Sequence, residues 1–370
     1  MGQPVNVGIV GCGAISAQYF QTIDRLPQLR LVAVADLDLD RAREAVRPYA
    51  GVDVLSVAEL MADSRIDIVL NLTIPAAHAE IALQAIAAGK DVYCEKPLAA
   101  TAEEAAGMLR AADAAQVRVG CAPDTVLGTG TQTARKAIDD GLIGRPVAAT
   151  ATMMTPGHER WHPNPDFYYV PGGGPLLDMG PYYITSLVTL LGPVATVIGA
   201  ASRTRAKRTI GSGPREGEEI PVTVDTHVTG VLVHTSGALS TLVMSFDGTA
   251  TKAPNIEVHG EAGSLVVPDP NYFEGPVLLS EVREDGWQTL PAAAGYVGAG
   301  RGVGLADFAS TPTGEEPRTS GSLAYHVLEV MESLLASAHS GTSVNITSTC
   351  ERPPPVDLIQ PVSSQNVDSM

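Results

Sequence analysis

The sequence predicts an α/β protein in two parts, a doubly wound parallel sheet followed by an α+β domain with an open-faced, largely antiparallel sheet. Three observations predict it. Short β-branched runs alternate with Ala-rich helical periods from residue 5 to about 121, the texture changes after Asp124, and alternating apolar runs with turn signals fill Val194 to about Val267. At 370 residues the chain is too long for one small core and suits two domains.

The first strand, starting at Val5, runs into a Gly11-x-Gly13-x-x-Ser16 turn, and a helical pattern over Ala17–Leu26 follows at once. Gly11 allows the tight strand-to-helix turn and Gly13 lets the backbone approach a pyrophosphate. The helix N-terminus, reached through Ala14 and Ile15, offers free amides and a positive dipole end. Ser16 in place of a third Gly implies slightly wider packing of helix on strand. Taken alone the segment also fits an ordinary strand-to-helix turn. The second strand, Leu31–Ala35, removes most of that ambiguity, because it ends in Asp36 about 20 residues past the turn, where a carboxylate meets ribose hydroxyls. Asp36 repels a 2′-phosphate and no Arg or Lys follows until Arg41, so NAD is expected rather than NADP.

Ile66–Thr73 and Asp91–Glu95 read as further strands. Thr101-x-x-Glu104 is a capping box that opens a helix to about Gln116, and Val117–Cys121 closes the unit. At the end of the strand Asp91–Glu95 stands Glu95-Lys96-Pro97, beside the cleft where ligands of such sheets bind. A lysine leaving a buried strand is seldom structural, because an unpartnered ammonium is costly to bury; the bland alternative is an ion pair with Glu95.

Beyond Asp124, Thr131–Asp140 reads as a helix ended by Gly141, and Val147–Met154 as a strand. A Pro/Gly-rich loop over Thr155–Pro175 precedes a helix from about Leu176 to Leu191. Thr229–His234 and Ala238–Phe246 pair around Ser236-Gly237, and a late helix spans Ser322–Ala338. The expected division is a dinucleotide-binding domain over 1–124, a substrate and oligomerisation domain over 125–352, and a Pro-rich tail over 353–370 that wraps a surface or frays.

A formal net charge of −17 argues against nucleic acid and anionic membrane as partners, since both need a basic face. No apolar run reaches the roughly 18 residues of a membrane span and no leader pattern precedes Val5. Cys12, Cys94, Cys121 and Cys350 are scattered without CxxC spacing, which suits reduced thiols in the cytoplasm. Cys12 reads as a small side chain in the Gly-rich turn.

A second constellation is Gly172-Gly173-Gly174-Pro175-Leu176-Leu177-Asp178-Met179-Gly180-Pro181-Tyr182-Tyr183, a Gly-rich segment entering a helix whose first turns carry Asp178 and Tyr182 on one face. The N-terminal turn, Glu-Lys-Pro and GGGxLxDxG, in this order over essentially the whole chain, resemble the glucose-fructose oxidoreductase / inositol dehydrogenase / rhizopine-catabolism (Gfo/Idh/MocA) oxidoreductases. The resemblance implies a Rossmann domain, then an open-faced α/β domain whose sheet commonly forms the interface of a homodimer or homotetramer. It also implies NAD(P)-dependent chemistry on sugars, polyols and glycosides.

On that resemblance Lys96 matches the active-site lysine and Asp178 the motif aspartate, while Tyr182 stands where most members carry a catalytic His. A phenol, with a reference pKa near 10, is a poor base unless a cation stabilises the phenolate, a charge Lys96 can supply. The expected chemistry is proton removal by Tyr182 assisted by Lys96, with Asp178 orienting the substrate hydroxyl or Lys96. Tyr183 points about 100° away on a helix. Thr73, Pro75 and His78 fall where the family contacts the cofactor, and Glu95 where it caps the nicotinamide ribose; His78 equally suits a helix-start side chain. Asp124 suits a polyhydroxylated ligand or a plain turn.

His158-Glu159-Arg160-Trp161-His162 reads HExxH, a zinc signature that needs a helix to bring both imidazoles to one face. Pro156-Gly157 before it and Pro163 after it oppose a helix, so no metal is expected. A sugar-binding wall of His158, Trp161 and His162 is expected instead, with Trp161 stacked on a pyranose face. Arg203, Arg205, Lys207 and Arg208 form a dense basic stretch, read as a solvated loop or as recognition of an anionic substituent, a role Arg301 could share. The activity expected is hydride transfer from a secondary hydroxyl of a sugar or glycoside to NAD. The alternative is a redox-neutral, NAD-dependent glycosidase, and a non-catalytic sugar or cofactor sensor is a third reading.

Overall fold

The computed structural model describes residues 3–312 and 314–360. The chain divides into two compact units: the first takes the residues up to 128, 295–325 and those from 356 on, and the second takes 129–294 and 326–355.

In the first unit β1 (Val5–Val10), α1 (Ser16–Ile23), β2 (Leu29–Ala35), α2 (Leu39–Val46), β3 (Asp53–Leu55), α3 (Val57–Ala62), β4 (Ile68–Asn71), α4 (Pro75–Ala87), β5 (Asp91–Cys94), α5 (Ala102–Ala115) and β6 (Val119–Cys121) alternate. The strands make one parallel sheet ordered β3-β2-β1-β4-β5-β6, with the topological switch between β1 and β4. All four residues of β4 are buried, as a strand covered on both faces must be. The expected capping box exists: the Thr101 side chain accepts from the Glu104 amide and the Glu104 carboxylate accepts from the Thr101 amide.

The second unit holds α6 (Thr129–Asp139), β7 (Pro146–Met154), α7 (Pro175–Leu191), β8 (Val194–Ser202), β9 (Lys207–Thr209), β10 (Glu219–Pro221), β11 (His227–His234), β12 (Leu239–Ser245), β13 (Ile256–Gly260), β14 (Gly263–Val267), β15 (Val277–Glu281) and β16 (Gln288–Leu290). After α8 (Val303–Ser310), which belongs to the first unit, come α9 (Gly321–Ser340) and β17 (Val344–Asn345). Nine strands form the main sheet in the order β16-β15-β14-β13-β7-β12-β11-β8-β17, antiparallel except for the β7–β12 pair. One face buries Val197, Leu232, Leu242 and Ala151, with α7 and α9 packed on that side: a Cβ on Gly180 of α7 would stand 2.8 Å from the Met331 sulfur of α9, and one on Gly230 2.5 Å from a Leu334 methyl. The other face aligns Ile198, Val231 and Thr241 across three strands and leaves Ile198 51% exposed.

The expected continuous second domain over 125–352 is corrected by residues 295–325, which return to the first unit. The cause is cover for its sheet: Leu305 and Phe308 of α8 are fully buried, and Phe308 meets Tyr93 of β5 edge-on at 5.7 Å between ring centres. The tail wraps rather than frays as far as it is described. Val356 is buried with Val126 and Leu127, and the Ile359 amide donates to the Gly295 carbonyl; residues 361–370 of the expected tail lie outside the described residues. Among the described residues no helix is long and apolar enough to cross a membrane.

Candidate functional site

Candidate residues lie in each of the two units. In the first, Gly11 has φ +100°, and a Cβ there would come 2.7 Å from the Leu72 carbonyl, so glycine lets the β1–α1 turn lie against the β4–α4 turn. Nothing stands within 4 Å of where a Gly13 Cβ would be; Gly13 and Ala14 are exposed, Ile15 is half-buried, and no side chain caps α1. Uncapped amides behind an open glycine cradle fit a pyrophosphate. The start of α4 is also uncapped and presents Pro75 exposed beside the half-buried Thr73.

Asp36 sits at the end of β2 as expected, and its surroundings refine its role. Its carboxylate accepts from the Cys12 amide at 2.8 Å, the Asp38 amide at 2.8 Å and the Arg41 guanidinium at 2.6 and 3.2 Å. Burial alone would raise its carboxyl, but the hydrogen bonds from Arg41 and the two amides hold it below the usual range. The Arg41 side chain that pairs with this carboxylate is half exposed.

Glu95 and Lys96 follow β5. One Glu95 oxygen accepts from the Tyr19 hydroxyl at 2.8 Å and the other from the Lys96 amide at 2.8 Å. Burial, and then Glu95 beside it, push the Tyr19 phenol well above its ordinary pKa, so it remains a donor. Tyr19 was missed in the sequence, although it lies on the buried face of α1 with Ser16, Phe20 and Ile23. His78 departs from its expected cofactor contact: it is fully buried, with Nδ1 2.6 Å from the Pro97 carbonyl and Nε2 3.0 Å from that of Thr73. It therefore braces the turns carrying Thr73 and Lys96, and burial lowers its pKa.

Asp124 and Arg301 are also corrected. Asp124 is fully buried and accepts the amides of Gly302 and Gly304 at 2.7 and 3.1 Å, where α8 begins. Arg301 lies 3.8 Å from the same carboxylate with its side chain 11% exposed. Burial raises the Asp124 carboxyl and Arg301 opposes that rise. The pair anchors the returning segment instead of lining a ligand site.

In the second unit α7 starts at Pro175 behind Gly174 and carries Asp178 and Tyr182 one turn apart. The loop before it folds His158 onto this helix, with Nε2 3.1 Å from an Asp178 carboxylate oxygen. Phe246, Tyr168 and Trp161 surround the imidazole at ring-centre distances of 4.5, 4.6 and 5.3 Å. Trp161 is 58% exposed, and His162 packs against it and Tyr168.

His158–Arg160 is a short 3-10 turn, not the α-helix that HExxH requires. Glu159 is buried and bound to Arg208 and to the Tyr169 hydroxyl. The basic stretch divides: Arg203, Arg205 and Lys207 are exposed, as a solvated segment has them, with Lys207 paired with Glu219 at 2.8 Å and Arg203 donating to the Val222 carbonyl at 2.9 Å, while Arg208 is buried and also bonds Asp247.

Residues 5–122 match the oxidoreductase family model with an NAD-binding Rossmann fold, and residues 131–266 match the GFO/IDH/MocA C-terminal domain. The chain is 31% identical to a 1,5-anhydro-D-fructose reductase from Ensifer adhaerens, over 70% of this chain and 74% of that protein. It is 27% identical to an inositol 2-dehydrogenase from Rhizobium meliloti (strain 1021), over 78% of this chain and 81% of that protein. Among solved structures it resembles an NAD binding oxidoreductase from Klebsiella pneumoniae with a TM-score of 0.81 and 25% identity, covering 94% of this chain and all of that one.

Proposed function

The chain belongs to the GFO/IDH/MocA family of NAD-binding oxidoreductases, and on that premise we propose that it oxidises a secondary hydroxyl of a sugar or cyclic polyol. The observation that carries the substrate class is the exposed Trp161 indole beside the His158–Asp178 pair. A pyranose or polyol ring offers an apolar face to an indole and hydroxyls to a carboxylate and an imidazole. The names of the relatives support the same class.

NAD, seated on Gly11, Gly13, Ala14, Ile15, Asp36, Thr73 and Pro75, supplies a hydride acceptor when bound. Lys96 stabilises negative charge on the carbinol oxygen, Tyr182 hydrogen-bonds the reacting hydroxyl, and Asp178 orients the groups around it. His162 and Trp161 complete the ring-binding wall. A homodimer or homotetramer through the open sheet face is proposed, supported by the exposed Ile198 and Leu239. A cytoplasmic location is proposed on Cys12, Cys94 and Cys121, which are buried free thiols.

The test is incubation of the purified chain and NAD with myo-inositol, levoglucosan, D-glucose and aryl glycosides, following reduced cofactor and released aglycone. Reduced cofactor accumulating with a polyol is the expected result. Aglycone release without net reduction would instead establish the redox-neutral glycosidase, and NAD binding with no turnover a sensor.

A further inference from the structure

We infer that His158 is the acid-base residue of this site, oriented by Asp178, and that it takes the proton Tyr182 was expected to remove. The inference rests on the oxidoreductase reading above and deepens it. Its basis is the arrangement around one imidazole. Nε2 lies 3.1 Å from Asp178 Oδ2, a contact in which the ring nitrogen donates and the carboxylate accepts. The other nitrogen, Nδ1, has no hydrogen-bond partner among the described residues. Phe246, Tyr168 and Trp161 pack around the ring and fix its plane. Both partners keep some exposure, 13% for the His158 side chain and 18% for Asp178, so the pair is not sealed in the core.

A carboxylate that holds one imidazole nitrogen fixes the tautomer and leaves the opposite nitrogen as a base. Asp178 and Tyr182 share a face of α7, so the imidazole reaches the helix face that also carries the tyrosine. A phenol needs a stabilised phenolate to accept a proton, whereas an imidazole accepts one directly. His158 thereby supplies from a loop the imidazole that the helix lacks at Tyr182. The step balances: the carbinol O–H proton moves to His158 Nδ1, the C–H electron pair leaves as hydride to oxidised NAD, and C=O forms. The imidazolium stays paired with Asp178 until it releases its proton to water.

The first measurement needs no substrate. Nitrogen-15 NMR of the full-length chain labelled at histidine reads which nitrogen of His158 carries the proton, with His158→Asn supplying the assignment. A proton on Nε2 and a bare Nδ1 are expected; a proton on Nδ1 overturns the inference. The second measurement uses NAD with myo-inositol, levoglucosan or D-glucose. His158→Ala is expected to lose about 100-fold or more in kcat while binding NAD as the parent does, and added imidazole is expected to restore part of the rate in proportion to its concentration. A merely structural His158 would give no such rescue. A parent chain that reduces NAD with a His158→Ala variant equally active overturns this inference alone. A parent chain that reduces NAD with none of these polyols overturns the oxidoreductase reading and this inference with it.

Discussion

Arg208 Nη1 donates to Glu159 Oε1 at 2.8 Å, with side-chain exposures of only 1% and 5%. This buried pair decides the character of two segments at once. It takes the glutamate of the HExxH-like stretch away from any solvent or metal chemistry, and it removes the most buried member of the basic stretch from any role toward an anionic ligand.

Arg208→Ala is expected to destabilise the fold by about 3–5 kcal/mol, because it strands Glu159 and Asp247 as unpaired buried carboxylates. Urea unfolding of the variant checks this. A loss below about 1 kcal/mol would mean that solvent reaches the pair.

Asp36→Ala is expected to weaken NAD binding at least about tenfold, the equivalent of about 1.4 kcal/mol, whereas Arg41→Ala is expected to change it less than about threefold. The carboxyl is held below its usual range, so its contribution to stability is present above the unfolded carboxylate pKa and is lost as pH falls through the lower folded value. Titration calorimetry of both variants with NAD is the measurement.

Tyr182→Phe removes one hydroxyl from the α7 face that carries Asp178. Turnover is expected to fall about 10- to 100-fold, the cost of one transition-state hydrogen bond, with NAD affinity unchanged. Nearly full turnover in this variant would remove Tyr182 from the reacting hydroxyl.

Burial, then Asp36, pushes the Cys12 thiol up to about 12, and burial pushes Cys94 up to about 12. Neither forms thiolate at neutral pH, so iodoacetamide at pH 8 is expected to leave both unmodified in the native chain and to label both after denaturation. Their folded pKa values lie above the ordinary value of 9.0. The stability they contribute is complete below pH 9 and declines as pH rises through 9 toward 12. A thermal-unfolding series across that range reads the decline.

The sequence by itself determined the doubly wound unit, the Gly11–Gly13 turn, Asp36 and the capping box at Thr101, because each is encoded by residues within a few positions of one another. Hydrophobic period, glycine placement and cap spacing are local signals. The GGGxLxDxG helix start was legible for the same reason. Tertiary structure alone decided the rest. Residues 295–325 return to cover the first sheet because Tyr93 and Asp124 need Phe308, Gly302 and Gly304, more than 170 positions away. His78, Asp124, Arg208 and Arg301 carry polar groups that read as ligand contacts in one dimension. In three dimensions, burial obliges each to find a partner, and the nearest carbonyls, amides and charges of the protein supply it. The same requirement brought His158 onto Asp178, a pairing across 20 positions of Pro- and Gly-rich loop that no periodicity announces.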